Sequence, residues 1–434
     1  MNNSGNLFYD LYQLTMCQSY WRSQGDTSAV FELYVRDMPS GRGYLVLNGV
    51  RQALENINNF NFNKDDIEAL TKLKQFDTKF LDYLANVNFT GTVRGMQDGD
   101  IIFPQEPVIQ IEAPLIQGQL LETMLINSIN YSSIVATKCS RIKHAAGQKD
   151  VIDFGARRAH SEESANILAY SGYMTGFQGT ATVNAGLNFD IPLFGTMAHS
   201  YVMAFETEIE AFRNYATEFP DSCTFLVDTY DTIGGIKNAI EVGQELSLEN
   251  HQLGAIRLDS GDYLTLAKNA RSLLDAAGLH EVDIIASGGL DEYRIQKLET
   301  QNAPINKYGV GTRVAASEDS PILESVYKMV ELNSRPVNKT SLGKESYPYK
   351  KNVYRKYSKT GKFAGDFIVS ENGKSQFIGS ENLLSVYIEN GSTIKNHPNL
   401  RESRNHHLAQ FDLLPDLYKS IKQPDTYPVS IHLK

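Results

Sequence analysis

Between about residues 140 and 315 the chain repeats one scheme: a short apolar or β-branched run, a small or acidic residue at its end, then helical spacing. In VIDFGARRAHSEESANILAYSG this pattern predicts a strand to Asp153, a polar loop and a helix. TFLVDTYDTIGGIKNAIEVGQEL ends its strand at Asp228, and GAIRLDSGDYLTLAKNARSLLDAAG at Asp259. VDIIASGGLDEYRIQKL does so at Ser287 to Gly289, and KYGVGTRV closes the series at Gly311 and Thr312. From Asp228 onward these ends recur about 24 to 31 residues apart, the length of a βα unit. Serial βα units fold as a parallel sheet, either a barrel or a doubly wound sheet. Polar residues gathered at the carboxyl ends of the strands favour a barrel with its site on that face. The span is short for eight full units, so the expected fold is α/β, with an irregular TIM-like barrel.

The flanks are patterned differently. SAVFELYVRDMPSGRGYLVLNG predicts two strands around a Pro/Gly turn, followed by a helix in VRQALENI. TGTVRGMQDGDIIFPQEPVIQIEAP predicts short strands punctuated by Gly and Pro, and NVYRKYSKTGKFAGDFIVSENGKSQFIG predicts hairpins turning at Thr360-Gly361 and Asn372-Gly373. The expected organisation is a barrel over 116–325, with segments 1–115 and 326–434 building one flanking α+β domain. From Arg335 to Lys362 there are nine Lys or Arg against the single acid Glu345, interleaved with tyrosines. That run reads as a solvated hairpin face, or as a basic flank for a phosphorylated ligand.

Composition narrows the function classes. With 434 residues, 41% hydrophobic and 21% charged, the chain has room for two or three domains of ordinary globular character. A formal net charge of −10 argues against nucleic-acid and anionic-membrane partners, so a phosphorylated ligand needs a local positive site. Cys17, Cys139 and Cys223 are scattered and form no CxxC or metal-ligand cluster, which points to the reducing cytoplasm. The N-terminal residues lack the basic and apolar regions of a signal peptide, and no run of about 18 apolar residues predicts a membrane span.

The candidate chemistry sits at the strand ends. Ser287-Gly288-Gly289 and Gly309-Val310-Gly311-Thr312 are either tight turns or two loops whose backbone N–H groups receive a phosphate monoester. Asp231 or Ser260 is explained as a helix cap, whereas Asp228 and Asp259 end apolar strands and suit sugar hydroxyls or Mg²⁺. DFGARRAH adds Phe154, Arg157, Arg158 and His160, a set for a second anion and a planar ring. No lysine stands at these strand ends, which counts against a Schiff-base aldolase. The Rossmann and P-loop glycine patterns are also missing. In PLFGTMAHSYVMAF, His199 is either a core histidine or a reactive one.

DLYQLTM (10–16), GYLVLNG (43–49), DFGARRAHS (153–161), GTMAHS (195–200), VDTYDT (227–232), IRLDSGD (256–262), SGGLD (287–291) and YGVGTRV (308–314) together resemble nicotinate phosphoribosyltransferase. The resemblance runs from about residue 7 to at least 360, and residues 365–434 carry no comparable signature. It implies an enzyme that joins nicotinate to 5-phosphoribosyl-1-pyrophosphate (PRPP), giving nicotinate mononucleotide and pyrophosphate. It further implies Mg²⁺, ATP as co-substrate, and a homodimer. By the same resemblance Gly288, Gly289, Gly311 and Thr312, beside Ser287, would hold the 5′-phosphate, and Asp228 and Asp259 would engage ribose hydroxyls or Mg²⁺. Phe154 would lie against the pyridine ring, with Tyr12 donated by the partner subunit to cover its other face. Thr196, Arg157 and Arg257 would address nicotinate and the charges near the reacting carbon, and His199 would be phosphorylated from ATP.

Three rivals remain at this level. A nicotinamide-using relative is expected to carry an aspartate where this chain has Ala181; an aspartate would accept from the amide and repel a carboxylate. A catalytically inactive ligand-binding relative should have lost some of His199, Arg157, Arg257, Asp228 or Asp259, and all are present. A barrel enzyme for another phospho-sugar explains SGG and GVGT but neither GTMAHS nor DLYQLTM.

Overall fold

The computed structural model describes residues 7–341, 346–371 and 380–433. The chain divides into two compact units, one of residues 138–319 and one of residues 1–137 with 320–434.

The 138–319 unit is built on one parallel sheet of six strands. Their spatial order is Gly179–Thr180, Asp150–Asp153, Lys307–Val310, Asp283–Ser287, Ala255–Leu258 and Thr224–Leu226. Ile152, Phe225, Leu226, Ile256, Leu258, Ile284, Ala286 and Val310 are buried, as strands covered on both faces require. The helices Glu162–Met174, Thr232–Leu248, Tyr263–Ala276 and Glu292–Thr300 follow their strands in the order the pattern predicts. Among the described residues no ladder joins the outer strands 179–180 and 224–226. The α/β class is therefore present as an incomplete ring of parallel strands, and every predicted strand end lies on its carboxyl side.

The other unit carries a seven-stranded antiparallel sheet in the order Arg335–Pro336, Ser325–Leu332, Ser28–Val35, Ile109–Pro114, Thr92–Gly95, Ser385–Glu389 and Ser392–Thr393. Strands from both chain ends interleave, which makes the flanking α+β region. The two strands expected around the Pro39 turn do not pair with each other. Ser28–Val35 is buried at every position but the first, and both its edges are taken by other strands. Leu45–Val46 pairs instead with Ile101–Ile102.

Lys351–Tyr357 and Phe363–Ser370 form the predicted hairpin, turning through Thr360 and Gly361, the latter at φ +77°. The second expected turn, at Asn372-Gly373, lies outside the described residues. The basic run is not simply a solvated face. Lys351 pairs with Glu32 at 2.7 Å and Arg355 with Asp366 at 2.6 Å, all four buried, whereas Lys356, Lys359 and Lys362 of the same hairpin are exposed. No helix among the described residues is long and apolar enough to cross a membrane.

Candidate active site

The strand ends of the 138–319 unit place their side chains around a shared network. At its centre is Arg257, on the strand Ala255–Leu258. Its Nε donates to Ser287 Oγ at 2.8 Å, one Nη to Thr196 Oγ1 at 2.8 Å and the other to Asp259 Oδ1 at 2.7 Å. Its guanidinium lies 5.5 Å from the centre of the Phe154 ring, within cation–π range. One planar fork thus joins three segments, a task its fixed donors allow and a lysine's point charge does not. Asp259 accepts a further bond from Ser287 Oγ at 2.5 Å. Burial pushes the Asp259 carboxyl up, but Ser287, Arg257 and then His199 outweigh it and hold the group below the ordinary carboxylate range.

Asp228 follows the strand Thr224–Leu226. Its Oδ2 accepts from the Asp259 N–H at 3.1 Å and from Ser260 Oγ at 2.6 Å. Among the described residues its Oδ1 is a buried acceptor without a hydrogen-bond partner. Ser260 serves Asp228 and caps no helix, whereas Asp231 does cap Thr232–Leu248 by accepting from Gly234 N–H. His199 opens the short helix His199–Val202, and its Nδ1 meets Thr229 Oγ1 at 3.2 Å.

The glycine loops have the geometry that anion binding needs. Gly288 and Gly289 adopt φ of +91° and +64°, and a Cβ on Gly288 would collide with the Asp259 carbonyl oxygen. The N–H groups of Gly288, Gly289, Gly311 and Thr312 have no intramolecular acceptor among the described residues. The strands leading into the two loops are neighbours, and unpaired backbone N–H groups at adjoining strand ends are the kind of donor an anion can use. Sequence reasoning missed Tyr263, whose hydroxyl reaches the carbonyls of Asp259 (3.1 Å), Gly288 (2.8 Å) and Ser287. Burial, then Asp259 and Asp228, push its phenol up to about 12, so it remains a donor that ties the two loops.

A cavity of about 690 Å³ opens beside this network. It is lined by Phe154, Arg157, Ala181, Thr196, His199, Arg257 and Asp259 among others, a mostly apolar hollow with a few convergent polar groups. Arg157 therefore faces the cavity, while Arg158 and His160 are exposed and do not line it. Ser287 and Asp228 join through hydrogen bonds to Arg257 and Asp259. Tyr12 belongs to the other unit, on the helix Leu11–Ser23, 46% exposed. Its phenol is pushed up to about 12 by burial and then by Glu122. No cluster of three or more His, Cys, Asp or Glu suited to a metal occurs among the described residues.

Comparison with known proteins accords with this geometry. Residues 7–130 match the N-terminal domain model of nicotinate phosphoribosyltransferase, 150–382 the family model, and 375–434 its C-terminal domain. The chain is 41% identical to nicotinate phosphoribosyltransferase pncB2 of Mycobacterium tuberculosis over 98% of its own length and 91% of the relative's. It is 36% identical to nicotinate phosphoribosyltransferase of Bacillus subtilis over 99% and 93% of the two chains. The crystal structure of human nicotinic acid phosphoribosyltransferase superposes with a TM-score of 0.86 at 26% identity, covering 97% of each chain.

Proposed function

The chain belongs to the nicotinate phosphoribosyltransferase family, and from that premise we propose how its strand ends divide the work of the reaction. The enzyme joins nicotinate to PRPP, giving nicotinate mononucleotide and pyrophosphate, a step of NAD salvage from nicotinate. The observation that carries the division of labour is the Arg257 fork, which connects Thr196, Ser287 and Asp259 above the Phe154 ring.

In this reading Phe154 supports the flat face of the pyridine ring, while Thr196 and Arg257 orient nicotinate. Ser287, Gly288, Gly289, Gly311 and Thr312 receive the 5′-phosphate through the free N–H groups described above. Asp228 and Asp259 face the ribose hydroxyls and stabilise positive charge as the anomeric carbon loses its leaving group. The pyridine nitrogen attacks with its own lone pair as the carbon–oxygen bond to pyrophosphate breaks, and the bonding electrons leave with pyrophosphate. No general base is required, so fixed positioning supplies much of the rate. Arg157 and Arg257 neutralise the departing charge.

Mg²⁺ fits this site as an ion that arrives with PRPP. It is commonly held by one or two carboxylates and completes its shell with water and phosphate oxygens, and Asp228 offers an unpartnered buried oxygen. Asp228 and Asp259 would hold it, and there it would supply charge neutralisation for pyrophosphate. His199 is the proposed acceptor of a phosphoryl group from ATP: its Nδ1 is engaged with Thr229, and among the described residues Nε2 has no partner. Attack by the free nitrogen on the γ-phosphorus forms an N–P bond as the bond to the β-phosphate oxygen breaks and ADP leaves; water then displaces the nitrogen, releasing phosphate and completing the ATP hydrolysis coupled to synthesis. We also place Tyr12 at the partner subunit's site in a homodimer, and the enzyme in the cytoplasm, where Cys17, Cys139 and Cys223 stay unpaired.

The test is an assay with PRPP and nicotinate, with and without ATP. Wild type should be stimulated by ATP, and His199→Ala should lose that stimulation yet keep some ATP-independent turnover. Unchanged stimulation in the variant refutes the phosphohistidine role. The nicotinamide reading is disfavoured by Ala181, which lines the cavity with a methyl group where the amide would want an acceptor. A higher kcat/KM with nicotinamide than with nicotinate would overturn the substrate assignment.

A further inference from the structure

Two walls of the cavity come from separate stretches of chain: Phe154, Ala156 and Arg157 from one, Ala181 and Val183 from the other. Asp153 lies between them, 1% exposed, and its carboxylate binds both. Oδ1 accepts from the Gly155 N–H at 2.7 Å, across the residue that carries the Phe154 ring. Oδ2 accepts from Thr180 Oγ1 at 2.7 Å, and Thr180 Oγ1 in turn accepts from the Thr182 N–H at 3.0 Å. The Asp153 carbonyl also receives the Ala181 N–H at 2.8 Å.

Resting on the substrate reading above, we propose that Asp153 and Thr180 are positioning residues for nicotinate: the buried carboxylate fixes the distance between the Phe154 wall and the Ala181 wall, and so sets the slot in which the ring is held.

Three hydrogen bonds accepted by one residue, two of them by its side chain, exceed what ending a strand requires. The carboxylate has no cationic partner among the described residues, and the titratable group that faces it is the buried Cys139 thiol on the helix Glu122–Ala146. A carboxylate buried without a counter-charge is costly, and it is retained here where it braces a substrate pocket. Burial pushes its carboxyl up to about 6, against the opposing pull of Thr180 and Gly155. A proton on Oδ1 faces the Gly155 N–H, donor against donor, and one on Oδ2 forces the Thr180 hydroxyl to turn and accept, so the brace loosens as pH falls through that value.

Two variants test this in the full-length enzyme, with KM for nicotinate and for PRPP measured separately across pH. Thr180→Val removes the hydroxyl while keeping the branched shape. It should raise KM for nicotinate about tenfold, the scale of one lost charge-assisted bond, and leave KM for PRPP within about twofold. Because the hydroxyl pulls the Asp153 carboxyl down, the variant's acid limb in kcat/KM for nicotinate should move to higher pH than that of wild type. Thr180→Ser should restore both values. Asp153→Asn, close in shape and unable to ionise, should abolish the limb near pH 6. Parallel rises in both KM values, or an acid limb that persists in Asp153→Asn, would overturn the proposal, even if either variant unfolds at lower temperature. Should wild type itself fail to turn over nicotinate, the substrate reading falls instead, so the two failures are told apart.

Discussion

At the residue scale the site depends on groups that tolerate no near-equivalent. Gly288 holds φ at +91° against the Asp259 carbonyl, so Gly288→Ala must displace either the loop or the strand end that carries Asp259. We expect kcat/KM for PRPP to fall by about a hundredfold or more in steady-state kinetics. Arg257→Lys should cost a similar factor, because one ammonium cannot serve Thr196, Ser287 and Asp259 together. The two site carboxylates respond to pH in opposite directions. Asp259 is held below the ordinary value, so its favourable interactions are complete above that value and are lost only as pH falls through its lower folded one. Asp153 is raised to about 6 from 3.8, so between those values the folded chain binds more protons than the unfolded one. Its buried charge therefore destabilises the fold progressively as pH rises through that window. The melting temperature of wild type relative to Asp153→Asn should accordingly be higher at pH 5 than at pH 7, as measured by calorimetry.

At the scale of elements, the proposed phosphate cradle is only as rigid as the helix that follows it. Glu292, the first residue of Glu292–Thr300, is fully buried and paired with Lys138 at 2.6 Å and Arg141 at 3.0 Å. Lys138 also reaches Asp319 at 2.6 Å. Replacing Glu292 with Gln removes the buried carboxylate that Lys138 and Arg141 share, which should cost about 3 kcal/mol in denaturant unfolding. Because SGGL leads directly into this helix, KM for PRPP should rise in the same variant. This level also shows what the sequence makes legible. The βα strand ends could be read because a strand buried on both faces is an unbroken apolar run, and the residue that ends it is polar. Phe154, Thr196, His199, Arg257 and Asp259 could be placed together on that basis and by their motif register, and they do line one cavity. Asp153 read only as a strand end, because its partner Thr180 lies 27 residues away and hydrogen-bond geometry leaves no periodic trace. Tyr263 was invisible for a similar reason: a tyrosine opening a helix resembles any other half-buried aromatic until its hydroxyl is seen between two loops. The order of the antiparallel sheet was equally hidden, since Ser28–Val35 chooses Ser325–Leu332 over its nearer neighbour Leu45–Val46.

At the scale of the whole molecule, the last segment has a structural role that its sequence did not disclose. Val429–His432 adds in parallel to Phe363–Ser370, and Tyr427 donates to Asp366 at 3.0 Å, completing the shell around the buried Arg355. The C-terminal family match therefore falls on an element that closes the flanking unit, without contributing any of the strand-end motifs. The flanking unit also holds Tyr12, half-exposed on its first helix, and the part proposed for it is in the partner subunit's site. If the sites of a two-fold dimer are shared, Tyr12→Ala and Arg257→Ala are each inactive alone but complement each other when mixed. Random re-pairing makes half of the dimers mixed, and each mixed dimer holds one site with both residues intact. Co-refolding equal amounts should then recover about a quarter of wild-type turnover, whereas a tyrosine acting within its own chain recovers none. The same mixture kept as separate folded dimers should stay inactive until subunits exchange, so the rise in activity with time reports the exchange itself.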